Sequence, residues 1–225
     1  MTTHAAVPYT PQAVNGGTDD YHCTLIDPHV TKNSFIASIQ FFPRSGLSVK
    51  EVHHAILFLV PPDLVNAART ADNNGQGRTC FGEPPVLGKA LGQFLSMPLL
   101  SSWAPGRGRD VMPVGTGTPP PAHSLTIMQG HYNLLVGDLP VSPHAQLYTV
   151  SSSTNERPTS IQPFISTPNI PCPAEITGHL CDRQAELTDL AIRFGAYLTL
   201  FDLGMEAVCG QDPTNSPQGT TTWCV

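Results

Sequence analysis

The chain has 225 residues, of which 23 are proline and 19 glycine, and only 12% are charged. So many turn-formers describe one large loop-rich domain or two small ones, not a long helical array. The net charge is −6 with no basic run, which excludes nucleic acid and anionic membranes as partners. A spanning helix needs about 20 apolar residues; the longest candidate, Ala191 to Val208, is broken by Arg193, Asp202 and Glu206.

In chain order, residues 1–20 read as an extended lead-in punctuated by Pro and Gly. Strand-like segments follow at Tyr21–Ile26, Ser34–Phe42, Val52–Val60, Ser124–Leu135 and Ala145–Val150. Alternation in the second of these predicts one face made by Phe35, Ala37, Ile39 and Phe41. The stretch between Pro61 and His123 reads mainly as loop, with short helix at Pro62–Thr70 and Val86–Ser96 and one edge strand. Its Gly106-Arg-Gly-Arg109 lacks the Gly-Lys-Ser/Thr and the strand-to-helix setting of a phosphate loop. Ile161–Ile170 reads as one more strand.

Beyond residue 170 the pattern turns helical. Leu187, Leu190, Ala191 and Phe194 fall at i, i+3, i+4 and i+7, which predicts a helix over Cys181–Phe194. Gly195 interrupts, and a second helix over Ala196–Cys209 completes a hairpin. Six cysteines stand at 23, 80, 172, 181, 209 and 224, with no Cys-x-x-Cys among them. An even, dispersed count favours disulfides and an oxidising, secreted or extracytoplasmic setting. The hairpin brings Cys181 to Cys209 and leaves Cys172 for Cys224. The N-terminus has neither a basic nor an apolar signal region, so an export signal has been removed or the reading frame is incomplete.

The histidines carry the chemistry. His53 and His54 adjoin in Val52-His-His-Ala-Ile-Leu-Phe-Leu59, and His131 lies in Leu125-Thr-Ile-Met-Gln-Gly-His-Tyr-Asn-Leu-Leu135. Three imidazoles from two strands suffice for a late first-row metal, whereas magnesium and calcium want oxygen ligands. Neighbours in a regular strand point to opposite faces. Both can reach one metal only where the strand is irregular, at a bulge or an end. The other histidines, at 4, 22, 29, 123, 144 and 179, are expected at the surface.

Asp20-Tyr-His-Cys23, Val52-His-His-Ala-Ile-Leu-Phe58 and Gln129-Gly-His-Tyr132 occur in this order. Together they resemble the copper type II, ascorbate-dependent monooxygenases, typified by peptidylglycine α-hydroxylating and dopamine β-monooxygenases. Over residues 9–170 the chain is most similar to bacterial secreted members. Trp103-Ala-Pro-Gly106 and the Gly178-His-Leu-Cys-Asp-Arg183 helix start are also similar to theirs.

The resemblance implies an antiparallel jelly-roll β-sandwich over 21–170, followed by a short helical hairpin and tail over 171–225. It implies His53, His54 and His131 as ligands of the family's N-terminal copper, Gln129 beside them, and a Cys23–Cys80 disulfide. It also implies an oxidoreductase with ascorbate as reductant, which uses O2 to hydroxylate a C–H bond of a small-molecule or peptide substrate. In that family the chemistry occurs at a second copper with a His-x-His pair and a Met ligand. No His-x-His occurs in this sequence. The expectation is therefore an electron-transfer domain without the second copper domain. The alternatives are a non-catalytic copper-binding module, or a zinc hydrolase, for which neither motif offers a general base.

Overall fold

The computed structural model describes residues 2–4, 8–12, 17–42, 50–80, 98–137, 139–142, 144–152, 156–161, 172–194, 196–208, 210 and 212. The strands are β1 (Thr2–His4), β2 (Asp19–Ile26), β3 (Ser34–Phe42), β4 (Val52–Val60), β5 (Arg78–Thr79) and β6 (Leu99–Trp103). They continue with β7 (Asp110–Val111), β8 (Thr116–Gly117), β9 (Leu125–Asn133), β10 (His144–Ser151) and β11 (Arg157–Pro158). The helices are α1 (Val65–Ala71), α2 (Arg183–Phe194) and α3 (Ala196–Val208). Strand outweighs helix, 39% against 23%, so the protein is mainly β. Contacts divide it into one unit of Met1–Gln12 with Asp20–Pro163, and another of Ala13–Asp19 with Phe164–Val225.

The first unit is a β-sandwich. One sheet runs β1-β10-β3-β7 and the other β5-β2-β9-β4-β6. Their facing sides supply the main core: Ile36, Ile39, Phe41, Ala145 and Leu147 from the first sheet, and Val52, Ala55, Leu57, Leu59, Met128 and Tyr132 from the second. The reverse face of the five-stranded sheet holds a second cluster, in which Val60, Leu125 and Ile127 pack with Ala68 of α1 and with Cys23 and Cys80. Cys23 and Cys80 are disulfide-bonded, 57 residues apart in sequence. Gly77 makes this turn feasible: its φ is +73°, and a side chain there would strike the Cys23 carbonyl and the His22 ring.

The long strands lie where their apolar runs place them, but one fact differs from the sequence expectation. In β3 the core takes Ile36, Ile39 and Phe41, while Phe35 and Ala37 are only half-buried. Ile36 pairs with Thr149 and Ser38 with Tyr148, so Ala37 is an extra residue that switches which face is inward. The stretch read mainly as loop also supplies the edge strand expected there: β6 pairs with β4 at one edge of the five-stranded sheet. The proposed helix at Val86–Ser96 lies outside the described residues, as does all of the proposed Ile161–Ile170 strand except Ile161, which bridges to Leu99.

The polar side chains on the inner face of β2 are also accounted for. Asp20 is buried and accepts hydrogen bonds from the Tyr9 hydroxyl at 2.7 Å and the Gln12 amide at 2.9 Å. The Tyr9 ring stacks on His22 at 3.5 Å. A short polar network thus pins the N-terminal segment to the sandwich, and burial beside Asp20 raises the Tyr9 phenol's pKa.

In the second unit, Asp182 caps α2 by accepting from the Ala185 amide at 2.9 Å. Arg183 near the start of α2 reaches Asp202 at 3.3 Å and Glu206 at 2.9 Å on α3. The start of one helix therefore meets the end of the other, the antiparallel arrangement expected of a hairpin; Gly195 lies outside the described residues. The disulfide here joins Cys172 to Cys181. This corrects the expected Cys181–Cys209 and Cys172–Cys224 pairs, since each sulfur forms one such bond. A partner nine residues away on a turn is simply nearer than one on the far helix. Cys209 and Cys224 lie outside the described residues. Disulfides of this kind are compatible with an extracytoplasmic location, and among the described residues no helix is long and apolar enough to cross a membrane.

Candidate metal centre

The geometry begins with a mismatch between two strands. In the β4–β9 ladder Val52 faces Tyr132 and His54 faces His131. Two residues on β4 thus separate by two where their partners on β9 separate by one, and His53 is the extra residue of a bulge. Toward the far end of β4 the core-facing residues are Ala55, Leu57 and Leu59. Regular alternation would send His53 inward with them. The bulge resets the alternation, so Val52 takes the inward position and both histidines are left for the reverse face. His131, opposite His54, completes the group.

The ligand atoms of His53, His54 and His131 all lie within 4.8 Å of one another. Nδ1 of His54 stands 3.3 Å from Nδ1 of His53 and 3.2 Å from Nδ1 of His131. Two nitrogens bound to one metal at ~2.0 Å in tetrahedral geometry are ~3.3 Å apart. One Nδ1 carries a single lone pair or a single proton and serves two such neighbours poorly. The donor set and spacing therefore fit a metal ion. His131 is buried, His54 half-buried and His53 exposed, so an ion here would be open to solvent on the His53 side.

The surroundings hold His54 neutral and orient His131. Burial, then the neighbouring His131 and His53, push the His54 pKa down to about 4, so its lone pair is free at neutral pH. The Tyr21 ring stacks on His131 at 4.1 Å and meets His54 edge-on at 6.1 Å. Gln129 shares the His131 face of β9, is buried, and donates from its amide to Cys80 Sγ at 3.7 Å. Between them Gly130 leaves room for the Tyr132 phenol, which a methyl group would overlap. Gly130→Ala is expected to cost about 1–3 kcal/mol by overpacking, read as a lower denaturation midpoint.

The remaining histidines divide. His29, His123 and His179 are exposed as expected, but His22 is not a surface group. It is 5% exposed, lies under Tyr9, and donates from Nε2 to the Gln76 carbonyl at 2.9 Å. His144 stacks on Phe42. Burial lowers the pKa of His22 as it does that of His54. Below the ordinary value of 6.5 the unfolded chain takes up protons that these folded sites refuse. The metal-free protein is thus expected to lose stability as pH falls from 6.5 toward 4 and to show no such slope above 6.5. Melting temperature against pH measures this, and His54→Gln should remove part of the slope.

The irregularity that a shared ligand role for His53 and His54 requires, at a bulge or a strand end, is the bulge at His53, whereas the Tyr21 stack was not foreseen from the sequence. No protein-family model matches the chain, and no curated protein matches it.

Proposed function

We propose that this chain is the electron-storing copper domain of a copper type II, ascorbate-dependent monooxygenase, which hydroxylates a C–H bond of a small-molecule or peptide substrate with O2. The observation that supports this most is the convergence of His53, His54 and His131 at a β-bulge, in a chain that also carries Asp20-Tyr-His-Cys23 and Gln129-Gly-His-Tyr132. A copper ion bound there would store and release one electron, since all-imidazole ligation tolerates both copper oxidation states. The chain's own residues bind and shield. His131 anchors the inner side, His54 offers an unprotonated nitrogen, and the exposed His53 marks the side from which a reductant such as ascorbate could approach. Gln129 serves as an outer residue that ties the ligand strand to the disulfide.

O2 activation and substrate binding in this reading belong to a second copper that these three histidines do not supply. Among the described residues the triad is the one group of three or more metal-ligating side chains. That favours, as second reading, a copper-binding module without turnover of its own. The test is metal analysis and EPR after copper loading and removal of loose metal. One type II Cu(II) per chain, bleached by ascorbate, supports the redox domain. Copper that ascorbate leaves oxidised favours the non-catalytic module. Absence of stoichiometric copper, or stoichiometric zinc in its place, overturns both copper readings.

A further inference from the structure

We infer that Tyr21 is a positioning residue for the bound metal: its ring fixes the plane of His131 and biases the site toward the more highly charged state of the ion. The inference rests on the copper reading above. β2 lies beside β9 in the five-stranded sheet. Tyr21 and Cys23, two residues apart, share the face that carries the triad. The Tyr21 backbone is held from below: its carbonyl accepts from the Cys80 amide at 2.9 Å, and Cys80 is bonded to Cys23. The ring is therefore presented from a clamped strand rather than from a loop.

The Tyr21 and His131 rings are nearly parallel, 8° apart at 4.1 Å. Turning the imidazole about its Cβ–Cγ bond would drive its edge into the phenol. That same turn carries Nδ1 away from His54, which stands 3.2 Å off. The stack thus restricts the motion that would dismantle the ligand set. It also acts on charge. A metal-bound imidazole shares the charge of its ion, and an electron-rich ring lying over it gives a cation–π contact. That contact is stronger for Cu(II) than for Cu(I). Partners around ligating histidines commonly change metal affinity by about 10–100-fold.

The experiment compares wild type, Tyr21→Phe and Tyr21→Leu for Cu(II) and Cu(I) affinity by competition, for the EPR spectrum, and for the midpoint potential. Tyr21→Phe keeps the ring and is expected to stay within about threefold of wild type. Tyr21→Leu is expected to weaken Cu(II) by about 10–100-fold and Cu(I) by less. The midpoint potential then rises and the copper hyperfine pattern changes. Wild-type affinities, potential and spectrum in Tyr21→Leu would overturn the inference, and so would a Phe variant as impaired as the Leu variant. The metal-free wild type gives a reading that does not depend on copper or on the folding of a variant. The His131 ring protons should be displaced upfield in the NMR spectrum by the Tyr21 ring current, and ordinary shifts would overturn the stack. Wild type that takes up no copper while showing those upfield shifts would sink the copper reading and, with it, the bias toward Cu(II), leaving only the stack.

Discussion

Replacing His131 by alanine is expected to abolish stoichiometric copper binding while leaving the β-sandwich folded. Four-ligand structural zinc sites bind with about 10–16 kcal/mol, so one ligand accounts for roughly 3–4 kcal/mol. Removing one of three should then weaken binding by about 10²–10³-fold. The fold should survive because His131 lies on the reverse face of its sheet and is no member of the main core cluster. Deleting His53 makes a sharper companion. Val52 already faces Tyr132 and His54 already faces His131, so excising the bulge would join two stretches that are in register. The expected result is a regular β4 whose melting temperature is no lower than wild type, together with a loss of copper like that of His131→Ala. Such a pairing of retained stability with lost metal would mark the bulge as a feature kept for binding. Metal analysis after desalting and thermal unfolding by circular dichroism measure both. Unchanged copper stoichiometry in His131→Ala would remove the triad as the site, and a collapsed deletion variant would make the bulge structural.

The long strands were legible because burial on both sides of a sandwich leaves long apolar runs: β3 and β4 lie at the expected bounds, and β9 within two residues of them. Which face each residue takes was less legible. Period-two reasoning assumes an uninterrupted pleat, and a single extra residue at Ala37 defeats it over half of β3. At His53 the same kind of irregularity worked in favour of the reading. Adjacent histidines can share a metal only where alternation fails, so the sequence required an irregularity there, a bulge or a strand end. The edge strand between Pro61 and His123 was expected without a position, because Leu99-Leu-Ser-Ser-Trp103 neither alternates nor carries a β-branched residue. His22 was misjudged because its polarity suggests exposure. Its ring is sheltered by Tyr9, and its Nε2 is satisfied by a carbonyl 54 residues away, a partner no local pattern reveals. The cysteine count indicated disulfides but could not select the pairs, and the local Cys172–Cys181 bond replaced both longer-range guesses.

Removing the Cys23–Cys80 disulfide should have the largest effect on stability. The bond closes a loop with a sequence separation of 57, for which chain entropy gives about 4 kcal/mol. The separation of nine at Cys172–Cys181 gives about 3 kcal/mol by the same relation, acting on the helical unit. The larger loss should also reach the metal site. Cys80 lies against Gln129, two residues from His131, and its amide holds the carbonyl of Tyr21, which stacks on the same imidazole. The Cys23→Ala/Cys80→Ala variant is therefore expected to unfold at lower denaturant and, in its folded fraction, to bind copper about tenfold more weakly. Denaturant titration and copper competition below the unfolding transition separate the two effects. A stability loss below about 1 kcal/mol would mean that the disulfide adds little to the other constraints joining β2 and β5. An unchanged copper affinity would mean that the ligand strand is positioned by the β4–β9 ladder alone, and the chain of contacts from disulfide to metal would have no energetic content.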